Sequence, residues 1–169
     1  MVVKILIIIF LCLLFWLICF LNSGNDKKNM LGFRSYPKAV QEAVKNDSTL
    51  SEFAPKKVSL IQVFVSNLVL FIIIFVVVGF ALKYTVGFHG FKDAFVYFLI
   101  LGETLNLFDL VVIDLIWWRN TPRIRFSCAP DKKLYQNPSV HIESFIRAIF
   151  MYLIIAILVS FILNLEKHI

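Results

Sequence analysis

Residues 5–21, 58–82, 94–118 and 142–163 form four almost wholly apolar runs, and polar segments rich in Lys and Arg separate them. A helix rises 1.5 Å per residue, so about 20 residues cross a hydrocarbon core of about 30 Å. The first run just reaches that length and the other three exceed it. Strands of a membrane barrel would alternate in polarity, and these runs do not. The pattern predicts an all-α integral membrane protein: a polytopic bundle of four transmembrane helices forming a single membrane domain over residues 1–169, with segments 22–57 and 119–141 on the cytoplasmic side.

The first run also has to be weighed as a signal peptide, because it is N-terminal and follows Lys4. It is longer than a usual signal core, and Asn22-Ser23-Gly24-Asn25 offers no small-x-small cleavage site. It reads as a retained helix.

Composition agrees with a chain solvated by lipid. Of 169 residues, 60% are hydrophobic and 17% charged, against about one half and one quarter in soluble domains. That excludes soluble enzymes, secreted disulfide scaffolds and disordered tails. The net charge of +6 does not point to nucleic acid, because the basic residues sit between the apolar runs, where they set orientation and meet anionic headgroups. Lys27, Lys28, Arg34, Lys38, Lys45, Lys56 and Lys57 follow the first run, and Arg119, Arg123, Arg125, Lys132 and Lys133 follow the third. The other side holds only Lys4, Lys83, Lys92 and Lys167. The expectation is a multi-pass protein of the cytoplasmic membrane with both termini outside.

In the first polar segment, Pro37 can open a short helix whose Val40, Ala43 and Val44 share one face, lying on the headgroups. A flexible linker is the alternative. Cys12 and Cys19 read as packing residues and Cys128 as a free thiol; no spacing suggests a disulfide framework, a metal site or a cofactor.

The third run carries Glu103, Asn106, Asp109 and Asp114. At 100° per residue Glu103, Asn106 and Asp114 fall within roughly 80°, with Asp109 roughly 60° beyond Asn106. An acid at the centre of a membrane helix costs roughly 2.5–3.5 kcal/mol, so this stripe needs partners, water or another subunit. Matching depth along antiparallel helices brings Arg147 within reach of Asp109 or Asp114, puts Glu143 level with Asp114 and His141 at the rim, and aligns Asn67 with Asn106 and Glu103. His141 alone reads as a solvated interfacial residue. Seven residues, Glu103, Asn106, Asp109, Asp114, Glu143, Arg147 and Asn67, thus form the candidate buried polar group or ion and proton pathway. Arg119, Arg123 and Arg125 are the candidate headgroup or phosphate contacts.

The first functional expectation is a transport-associated or accessory subunit, working as a homo-oligomer or within a larger membrane complex, its partner the lipid bilayer. The alternative is a membrane-embedded enzyme on a lipid or prenyl-phosphate substrate at the cytoplasmic face, with Asp109, Asp114, Glu143 and His141 holding a cation or acting as acid and base. No nucleophile elbow or zinc-protease motif supports it, so the balance leans against an enzyme.

Overall fold

A computed structural model describes residues 2–56, 58–85 and 87–165, so Lys57 and Lys167 of the charge balance lie outside the described residues. Every regular element among them is helical. The α-helices in chain order are α1 (Val2–Leu21), α2 (Asp26–Asn29), α3 (Lys38–Asn46), α4 (Leu60–Thr85), α5 (Phe91–Phe108) and α6 (Ser139–Leu165), with shorter 3₁₀ turns and a π-helical stretch between them. Four helical stretches, Val2–Leu21, Leu60–Tyr84, Phe91–Trp118 and Lys132–Leu165, are long and apolar enough to cross a membrane.

Local chemistry sets the helix ends. Ser59 and Gln62 form a capping box on α4: the Ser59 hydroxyl accepts from the Gln62 amide N–H at 3.1 Å, and the Gln62 side chain accepts from the Ser59 N–H at 3.0 Å. These two side chains start the helix by satisfying each other's backbone N–H groups. The C-terminal end of α1 receives cations: Arg123 donates to Phe20 O at 3.2 Å and, just beyond the helix, to Ser23 O at 3.0 Å, and Lys28 donates to Leu21 O at 2.9 Å. Such donors satisfy carbonyls that have no partner within the helix.

The chain divides into two compact units. The first comprises Met1–Phe10, Val58–Asn106 and Ile146–Ile169. Here Phe75, Phe98, Leu101, Ile155 and Val159 are buried, and two glycines permit close approach. A Cβ on Gly102 would lie 2.7 Å from Tyr152 Cδ1, and one on Gly79 2.7 Å from Leu163 Cδ1. Lys4 pairs with Asp93 at 3.2 Å.

The second unit comprises Leu11–Lys57 and Leu107–Phe145. Its core gathers both polar connections: Phe33, Tyr36, Val40 and Val44 pack with Trp118, Ile124, Phe126, Ala129 and Tyr135. Val40 and Val44 are both 0% exposed. The short helix α3 thus follows Pro37 as the sequence suggests, in place of a flexible linker, and its apolar face is covered by residues of the 119–138 connection. Polar ties reinforce the packing. Tyr36 donates to Ile124 O at 2.9 Å and Tyr135 to Ala129 O at 2.8 Å. Asp26 accepts from the Ser127 amide at 2.9 Å and the Ser127 hydroxyl at 2.6 Å.

Candidate functional site

Beyond Phe108 the helix of α5 changes its hydrogen bonding. Asp109–Trp118 is a π-helix, in which each N–H reaches back five residues instead of four. Such turns are uncommon, and they occur frequently at functional sites. Widening the turn by roughly one residue brings positions five apart onto one face, where an α-helix would set them well around the cylinder. Asp109 and Asp114 are five apart, and both line the same cavity.

The cavity belongs to the second unit and measures 360 Å³. Phe15, Ile18 and Cys19 of α1 form one wall, and the π-helix supplies Asp109, Ile113, Asp114, Trp117 and Trp118. His141 and Ser144 come from the first turns of α6, and Tyr36 and Ile124 from the packed connections. Asn22, Leu31 and Ser35 are exposed and mark the rim. The α1 helix, featureless by sequence, contributes a wall to this recess.

The chemistry of this recess centres on His141. Its Nδ1 lies 2.9 Å from Asp114 Oδ2, and the ring meets Trp118 edge to face with centroids 4.8 Å apart. The residue is 4% exposed, and its Nε2 is buried without a hydrogen-bond partner. The carboxylate orients the ring through Nδ1 and leaves Nε2 without a hydrogen-bond partner. The expectation of a solvated His141 is thereby corrected: it is enclosed by Trp118 and held by Asp114.

The other sequence-predicted residues separate by place. In the first unit, Asn106 is buried and donates to Glu103 Oε2 at 3.4 Å, one helical turn away, while Glu103 Oε1 is buried without a partner. Asn67 on α4 and Glu143 and Arg147 on α6 stand on exposed faces, so these three are not the buried side chains that depth matching suggests. Depth matching also names Arg147 as a partner for Asp114; the structure places His141 Nδ1 against Asp114 Oδ2. Among the described residues, no group of three or more His, Cys, Asp or Glu side chains is placed to hold a metal ion, and the cation-binding set of Asp109, Asp114, Glu143 and His141 is not assembled.

The expected phosphate contacts have structural work. Arg119 donates to Gln136 O at 2.6 Å while Gln136 donates back to Arg119 O at 2.9 Å, closing the 119–136 loop. Arg123 holds the α1 carbonyls and stacks over Phe20 at 4.0 Å. Its own carbonyl accepts from Gly24 N at 3.0 Å and Asn29 Nδ2 at 3.1 Å. Arg125 is half-buried, and its carbonyl accepts from Asn29 at 3.4 Å.

Sequence reasoning passes over Cys19, Tyr36 and Trp117 as site residues. Trp117 and Trp118 carry a signal as an aromatic pair, but one equally suited to an interfacial anchor. Comparison of the chain with protein-family models, curated proteins and solved structures finds no match.

Proposed function

We propose that this chain is a transport-associated protein of the cytoplasmic membrane, and that the Asp114–His141 pair with Asp109 exchanges protons with a solute or partner in the cavity. The carrying observation is the enclosed imidazole, fixed at Nδ1 by a carboxylate 2.9 Å away and unpaired at Nε2. Carboxylate and imidazole groups inside membrane segments recur in proton relays because both change charge without leaving place. On the charge balance, segments 22–57 and 119–141 face the cytoplasm and both termini face outside, which puts the cavity at the cytoplasmic end. Four spans make a small unit, and assembly as a homo-oligomer or with a larger membrane complex fits that size.

The test is decay of an imposed pH gradient in proteoliposomes holding the full chain. Asp114→Asn and His141→Gln should each slow it by about tenfold or more, the scale on which positioned acid–base groups act. Gradient decay at the unmodified rate in both variants would sink the reading.

A second reading has one observation behind it. A histidine oriented by a carboxylate is also a general base, and a cytoplasmic-face enzyme acting on a lipid or prenyl phosphate could use it. Arg119 and Arg123 donate to backbone carbonyls, which weighs against a phosphate held there. Turnover of such a lipid, abolished by His141→Gln while gradient decay is unaffected, would favour the enzyme.

A further inference from the structure

We propose that the 360 Å³ cavity binds a small organic ammonium cation, held between the carboxylates of Asp109 and Asp114 and beside His141 and the Trp117 and Trp118 rings. The inference rests on the proton-exchange reading of these residues and names the class of solute.

Charge is the first argument. Among the described residues lining the cavity, Asp109 and Asp114 are the acids, and neither Lys nor Arg is present. Two carboxylates in a partly apolar recess call for a positive partner.

Hydrogen-bonding capacity is the second. Three of the wall's donors are committed to backbone carbonyls: Tyr36 to Ile124 O at 2.9 Å, Ser23 to Phe20 O at 2.9 Å, and Asn29 to Arg123 O at 3.1 Å and Arg125 O at 3.4 Å. The carboxylate oxygens accept, and so does His141 Nε2 when the imidazole is uncharged. His141 lines the cavity, and its Nε2 is buried and unpaired.

Size and walls are the third. The volume lies in the range of small-molecule pockets, and no cluster of metal-ligating side chains is present among the described residues. Indole faces attract cations through the ring quadrupole. A protonated amine satisfies all three demands, whether it is free in water or is the headgroup of a lipid such as phosphatidylethanolamine.

The experiment uses the full chain in nanodiscs of phosphatidylglycerol, which carries no amine. Ethylammonium chloride is titrated against sodium chloride at equal ionic strength, read by calorimetry and by tryptophan fluorescence, since Trp16, Trp117 and Trp118 are the chain's three tryptophans. Saturable binding of ethylammonium alone is expected, weakened by about tenfold or more in Asp109→Asn, the scale of a lost charge-assisted hydrogen bond. Asp109→Glu keeps the charge and should retain binding, which separates site loss from misfolding. A parallel arm in discs containing phosphatidylethanolamine identifies the source: apparent ethylammonium affinity falls if the lipid headgroup occupies the cavity, and holds if the ligand is a free amine.

The proposal is overturned by no saturable response in the unmodified protein, by an equal response to sodium, or by unchanged affinity in a folded Asp109→Asn protein. If ethylammonium fails to bind while Asp114→Asn still slows gradient decay, the ligand class falls and proton exchange stands. If ethylammonium binds and gradient decay is unaltered in Asp114→Asn, proton exchange falls and the binding site stands.

Discussion

At the scale of single residues, the neighbour decides the chemistry. His141 lies in a stretch that reads as an interfacial rim, yet with Trp118 against its ring and Asp114 on Nδ1 it becomes an oriented, enclosed imidazole. Asp109 and Asp114 read as members of one acidic stripe, and only Asp114 has the histidine. A simpler case is Asp47, which follows α3. Its carboxylate accepts from the Thr49 hydroxyl at 2.6 Å and from the backbone N–H groups of Thr49 and Leu50, each at 2.9 Å. The Thr49 hydroxyl first, then the two amides, hold this carboxyl below the ordinary aspartate range. A depressed folded-state value means that its contribution to stability is present above the unfolded value and is lost as pH falls through the folded one. Thermal unfolding followed from neutral to strongly acid pH should show a shallower acid-side loss in Asp47→Ala than in the unmodified protein. Superimposable pH profiles would show that these bonds do not persist in solution.

At the scale of elements, packing overrides periodicity in two places. Val40, Ala43 and Val44 make α3 amphipathic, and that pattern alone cannot say whether its apolar face meets headgroups or protein. The aromatic residues of a segment some eighty positions later decide it, because Trp118, Phe126 and Tyr135 pack in one core with the two valines. The π-helical stretch Asp109–Trp118 is the other. An angular argument at 100° per residue separates Asp109 from Asp114, whereas the wider turn lets both line one cavity. In the first unit, Gly102 lets α5 approach Tyr152 closely. Gly102→Ala would put a Cβ 2.7 Å from Tyr152 Cδ1 and 2.9 Å from Tyr152 Cβ. That overpacking should cost about 1–3 kcal/mol, seen as a lowered midpoint of thermal or denaturant unfolding in detergent. An unchanged midpoint would mean that the two helices separate there without penalty.

At the scale of the whole molecule, the decisive quantity is the orientation that the charge balance predicts. Cys128 sits in the 119–138 connection, and burial first, then the nearby carboxylates of Asp47 and Asp26, push its thiol above the ordinary value. In a Cys12→Ser, Cys19→Ser background, a membrane-impermeant maleimide should label Cys128 in inside-out vesicles and not in intact cells. Labelling should speed up as pH rises above neutral, because the thiolate is the reactive form. Labelling of intact cells would reverse the orientation and move the cavity to the outer face. The sequence by itself determined the number and approximate place of the four long apolar helices, because run length and the cost of lipid-exposed polar groups are local properties of the chain. It also marked the third of them as carrying acids that cannot face lipid. Tertiary structure alone decided which residues meet: the pairing of Asp114 with His141, the use of Arg119 and Arg123 as backbone ties, and the burial of α3. Those outcomes depend on contacts between distant segments and on a change from α to π hydrogen bonding, and neither leaves a period in the sequence.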